Sequence, residues 1–276
     1  MSTTSVESKL SRPRVAERAS ERAFRGVSAL LFVTCAVSTV VGCESMSAMG
    51  EMQMPGGWTM SMAWMRMPGQ TWLGAAASFI GMWVVMMVAM MLPSLVPMLQ
   101  RYRSAVGTSG EARLAWLTTV VGMGYFFVWT VFGMAAFPLG VALAAIEMEL
   151  PVVARAVPLA VGMAILVAGA LQFSAWKAHH LACCRDSPGR GRALSADVGA
   201  AWGYGLRLGL HCSYCCAGLT AILLVIGVMD LRAMGIVMAA ITVERLAPDG
   251  GRVARAIGAI VVGAGLFVIA QAASLG

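Results

Sequence analysis

The chain has 276 residues, 59% of them hydrophobic and only 12% charged, with a mean hydropathy of +0.79. Soluble domains carry about 25% charged residues, so this composition excludes an ordinary water-soluble globule and points to lipid. The net charge of +7 does not make the chain a nucleic-acid binder, because its basic residues lie between apolar runs and no nucleic-acid motif accompanies them.

Apolar runs of roughly 20 residues cross a bilayer as helices, since backbone groups find no water to bond there. The expected fold is all-α, a polytopic transmembrane bundle of about seven spans over 27–273. Residues 1–26, with Lys9, Arg12, Arg14, Arg18, Arg22 and Arg25, read as a disordered cytoplasmic tail. A first span at about 27–43 leads into a Met-rich outer loop at 44–70, then a second span at about 71–98. The third, about 116–146, contains Pro138, which is expected to kink it. The fourth, about 156–176, ends at Lys177, where a hydrophilic inner loop with Cys and His begins (177–198). The fifth has its apolar core at about 208–229, entered through an amphipathic stretch holding Arg207. The sixth covers about 231–244 and the last 256–273.

Basic residues set the orientation. The tail and the connections at 100–115, 177–198 and 245–255 hold nearly all of them, whereas the other side holds Arg66, Arg155 and Arg232. The N-terminus is therefore expected in the cytoplasm, with the chain as a multi-pass protein of a bacterial inner (cytoplasmic) membrane. Val40-Val41-Gly42-Cys43 resembles a lipoprotein cleavage site. The charged region before it is long for a signal peptide, which favours a retained first helix.

Five of the seven cysteines and all three histidines fall in two short segments, His179-His180-Leu181-Ala182-Cys183-Cys184 and His211-Cys212-Ser213-Tyr214-Cys215-Cys216. Residues three or four apart share a helix face. His179/Cys183, His180/Cys184, His211/Cys215, Cys212/Cys216 and Cys212/Cys215 are all such pairs. Thiolate and imidazole are ligands for zinc and copper. The predicted metal ligands are His180, Cys184, Cys212, Cys215 and Cys216. His179, Cys183, His211 and Glu244 are expected to support them. Packing is the competing reading, since free cysteine is a good small apolar residue.

Methionine is the second anomaly, with 22 residues. Eight lie in the outer loop, Met60, Met62, Met65 and Met67 among them, and Met82, Met86 and Met90 form a stripe along the second span. Thioether selects Cu(I) over harder ions. A soft-metal capture loop, with Met86 and Met90 as an intramembrane relay, is the reading these sulfurs suggest. In a membrane helix such a stripe is more often packing.

The stretch Met82-Trp83-Val84-Val85-Met86-Met87-Val88-Ala89-Met90-Met91-Leu92-Pro93, followed by Pro97-Met98, resembles the signature of an uncharacterised bacterial family of predicted metal-binding integral membrane proteins, classed as a domain of unknown function. Lys177 through Pro188, the Cys212–Cys216 cluster with Gly227-Val228-Met229-Asp230-Leu231, and Glu244-Arg245 with Pro248 agree, so the resemblance covers about 70–276. The family pattern has cysteine where this chain has His180. That change keeps ligand character and alters the donor set.

The resulting expectation is a membrane protein that binds and relays or transports a soft transition metal, Cu(I) ahead of zinc. Its expected partners are the lipid bilayer, the metal ion, and a partner protein or second copy of itself, without nucleic acid. No Gly-x-x-x-x-Gly-Lys-Ser/Thr loop for ATP is present. Two alternatives stand beside it: a membrane thiol-disulfide oxidoreductase using Cys212 and Cys215, and a non-catalytic subunit of a membrane complex.

Overall fold

In a computed structural model the described residues are 4–48, 50, 52–67, 69–106, 110–185 and 195–275, with side chains from residue 18 onward except those of Met62 and Leu275. The tail side chains of Lys9, Arg12 and Arg14, the side chain of Met62, and loop residues Arg190 and Arg192 lie outside this description. Among the described residues eight helices form one bundle: α1 (Thr4–Ala48), α2 (Trp72–Val106), α3 (Glu111–Glu149), α4 (Pro151–Leu171), α5 (Ala175–Arg185), α6 (Val198–Ile226), α7 (Leu231–Leu246) and α8 (Gly250–Leu275). A small antiparallel hairpin of β1 (Met52–Met54) and β2 (Trp58–Met60) sits between α1 and α2.

The all-α expectation holds. Six helices, α1 to α4, α6 and α8, are long and apolar enough to cross a membrane, which fits a multi-pass membrane protein. The expected sixth span is α7, with 16 residues. At 1.5 Å per residue it is about 24 Å long, short of the ~30 Å hydrocarbon core.

Two expectations change. Helix α1 begins at Thr4, so the segment read as a disordered tail continues the first span as helix. The first part of the expected inner loop is α5, because Leu181 and Cys184 lie on the same helical face as Lys177 and bury together. The helix α3 continues through Pro138 to Glu149.

Local chemistry fixes the helix ends around the future site. The Asp197 carboxylate accepts from Gly199 N (2.9 Å) and Ala200 N (3.2 Å), capping α6. Asp230 does the same for α7 through Arg232 N and Ala233 N. At the far end of α7, Arg185 donates to the carbonyls of Glu244, Ala247 and Pro248. A cation there offsets the negative pole of the helix and ties α5 to α7.

Spans pair as α4 with α8, α3 with α6, and α2 with α3 and α1. Lipid gives no hydrophobic reward for helix association, so close backbone approach at small residues carries it. A Cβ on Gly205 would collide with the Val121 carbonyl, and one on Gly209 would sit 2.9 Å from the Tyr125 carbonyl. These glycines let α6 lie directly on α3. Between α2 and α3 the Trp83 indole donates to the Trp129 carbonyl at 2.8 Å.

Candidate metal centre

The centre is built mid-way along α6, where Cys212, Cys215 and Cys216 occupy one buried face. Because α6 starts at Val198, Cys212 lies fourteen residues inside the helix, deeper than a span starting near 208 would place it. Cys184 from α5 lies beside Cys215. The Sγ separations are 3.7 Å for Cys184–Cys215, 3.5 Å for Cys215–Cys216 and 3.9 Å for Cys212–Cys216. All four thiols are free and at most 2% exposed.

This spacing can be tested against coordination chemistry. With metal–sulfur bonds of about 2.3 Å, sulfurs 3.5–3.9 Å apart subtend about 100–115° at the ion. That range brackets the tetrahedral angle. Cys212, Cys215 and Cys216, with sulfurs all within 4.8 Å of one another, converge as a thiophilic ion would require, and Cys184 stands beside Cys215 as a further donor.

Two cations flank the thiols, and their partners differ. Lys177 donates to the Glu244 carboxylate at 2.6 Å and to the Cys215 carbonyl, while Gln172 donates to Glu244 at 3.1 Å. This buried pair is closed: each charge meets its opposite, and each carboxylate oxygen has a donor. Arg245 is different. It is 2% exposed, and among the described residues no carboxylate forms an ion pair with it. One terminal nitrogen donates to Ser94 Oγ at 2.9 Å, Cys212 Sγ at 3.3 Å and Tyr125 OH at 3.5 Å. Among the described residues its Nε and second terminal nitrogen have no partner. Tyr125 OH in turn donates to Cys212 Sγ at 2.9 Å.

Sequence reasoning missed Lys177, Arg245, Tyr125, Ser94 and Gln172. Lys177 and Arg245 were read as loop charges that orient the chain. The signal for them was present, because Met234, Val237, Ile241 and Glu244–Arg245 follow helical spacing, and so do Lys177, Leu181 and Cys184. Nothing in the sequence marks Tyr125 or Ser94 before the helices are docked.

His180 does not join the four thiols directly. Its Nδ1 lies 3.2 Å from Nδ1 of His211, and Trp176 and Tyr214 stand around it with ring centroids at 4.9 and 5.0 Å. Desolvation, and then the neighbouring His211 and His179 rings, lower the His180 pKa, which favours the neutral, ligating imidazole. His179 and Cys183 pair with each other on the exposed side of α5, Nε2 to Sγ 3.7 Å.

The methionines are distributed differently. Met86 and Met90 are buried in the main core. Met60, together with Met54, packs against Ala144 and Ala154 and so seats the hairpin on α3 and α4. The Trp58 indole also donates to the Ala154 carbonyl at 2.8 Å. The outer loop therefore has a small core of its own to fill. Met65 and Met67 are half-buried.

No curated protein and no solved structure matches the chain. Residues 80–268, which contain every cysteine and histidine of the centre, match the PpoB2 family, described as a copper chaperone, and the chain belongs to that family.

Proposed function

We propose that this chain is a membrane-embedded Cu(I) chaperone, holding one copper ion among Cys184, Cys212, Cys215 and Cys216 and releasing it to a partner protein. Four buried thiols, three of them mutually within 4.8 Å, beside an arginine with no carboxylate partner among the described residues, carry this reading. Thiolate is the soft donor that favours Cu(I). Copper bound by two thiolates has a net charge of −1, which the Arg245 guanidinium beside Cys212 would offset in a site with little water. Copper here is cargo. The protein's task is to exclude water, hold the sulfurs and balance the charge. The charge asymmetry of the connections supports a bacterial cytoplasmic membrane with the N-terminus inside.

A thiol oxidoreductase fits less well. Exchange needs a thiolate that a partner disulfide can reach, and here all four thiols are buried. The deciding experiment is metal analysis and X-ray absorption on anaerobically purified protein offered equimolar Cu(I) and Zn(II). About one copper per chain with sulfur scattering is expected. Zinc alone would keep the centre and remove copper, and no metal would return the cysteines to packing.

A further inference from the structure

Thiols at most 2% exposed need a way in for the ion. We propose that His180 and His211 form a second, shallower Cu(I) site that receives copper and passes it to the buried thiols. This rests on the copper reading above and adds the route by which the cargo arrives.

Helix α5 runs antiparallel to α6, Lys177 meeting the Cys215 carbonyl and His180 meeting His211, so the two donor pairs lie side by side at the contact of the two helices. His180 and Cys184 are four residues apart on α5, and His211 and Cys215 four apart on α6. One turn therefore separates each histidine from its cysteine, about 6 Å of rise. The histidine pair spans 3.2 Å and the cysteine pair 3.7 Å. An ion about 2 Å from each Nδ1 would subtend about 105°, close to tetrahedral. Both imidazoles are half-buried, whereas Cys184 and Cys215 are buried. The exposed Trp176 and Tyr214 flank His180. The histidine pair is thus the more accessible of the two.

Transfer is ligand exchange without redox chemistry. Copper stays Cu(I), its bonds to the His180 and His211 nitrogens break, and bonds to sulfur of Cys184 and Cys215 form. Each thiol that becomes a ligand gives up its proton to water. The softer donor draws the ion inward.

The test uses the full chain in detergent, loaded anaerobically from a Cu(I)–glutathione complex. The His180→Asn/His211→Asn variant should load about tenfold more slowly or worse. It should reach the wild-type amount of sulfur-bound copper, which also shows that it is folded. Wild-type protein given a second equivalent should acquire nitrogen scattering that the variant lacks, and His180→Cys should restore the rate. If the double variant does not fold, His180→Asn alone gives the same reading through one half-buried side chain. An unchanged rate overturns the proposal, as does loss of the sulfur-bound copper itself, which would make the histidines part of the central site. Wild-type protein that binds no copper would instead overturn the chaperone reading.

Discussion

Two regions of this molecule are rich in sulfur, and they use it in opposite ways. At the α5–α6 centre four buried thiols cluster, with neighbouring sulfurs 3.5–3.9 Å apart, beside a buried guanidinium with two nitrogens unpartnered among the described residues. In the hairpin region Met54 and Met60 face Ala144 and Ala154, filling a small apolar pocket as any flexible side chain could. Abundance of sulfur is common to both. Only the first has convergence, desolvation and a compensating charge.

The sharpest way to break this contrast is to remove sulfur from the centre. Cys212→Ser/Cys215→Ser should abolish stoichiometric copper binding under reducing conditions, read by metal analysis after desalting. Serine oxygen is a hard donor and leaves Cu(I) with too few soft ligands. Full copper content in that variant would place the ion elsewhere.

The next effect falls on stability. Lys177→Met leaves the Glu244 carboxylate buried without its cation, at a cost of about 3–5 kcal/mol. Melting in detergent should drop sharply. Lys177→Met/Glu244→Gln removes both charges and should recover most of that loss. A double variant as unstable as the single one would mean that the pair acts through the Lys177 bond to the Cys215 carbonyl.

Arg245 separates charge from packing. Arg245→Met keeps a long apolar side chain and removes the cation beside Cys212, and copper affinity should fall by about 10–100-fold. Arg245→Lys, which keeps the charge and loses the fork that reaches Ser94 and Cys212 together, should fall in between. Competition with a Cu(I) chelator measures both. Equal affinities in all three proteins would show that the guanidinium does not balance the bound ion.

These tests also mark what was legible in advance. Long apolar runs gave the helical bundle, because a bilayer leaves the backbone no alternative. The i, i+3 and i, i+4 spacing placed Cys212, Cys215 and Cys216 on one face. The partner of His180 was not legible, since its pairing with His211 depends on how α5 packs against α6. Lys177 and Arg245 were hidden by their neighbours in sequence. Each lies at the junction of an apolar helix and a polar connection, where an exposed charge and a buried one look the same. Burial was decided by the continuing helical period, which a charge count ignores.

The smallest effects belong to the hairpin region, and they sharpen the comparison by being small. Met60→Leu exchanges one flexible apolar side chain for another of similar volume, so it should cost less than about 1.5 kcal/mol and leave copper loading unchanged. Met65→Leu/Met67→Leu is the more demanding case, because these thioethers are only half-buried and could meet an arriving ion. If copper reaches the thiols through His180 and His211, removing these two sulfurs changes neither the rate nor the extent of loading. A slower rate in cells at low external copper, with purified protein still saturating normally, would instead assign the hairpin region a capture role. The two outcomes differ because thioether binds Cu(I) more weakly than thiolate. A capture loop matters only when copper is scarce and arrives from that end of the bundle, so loading at several external copper concentrations is the measurement to make.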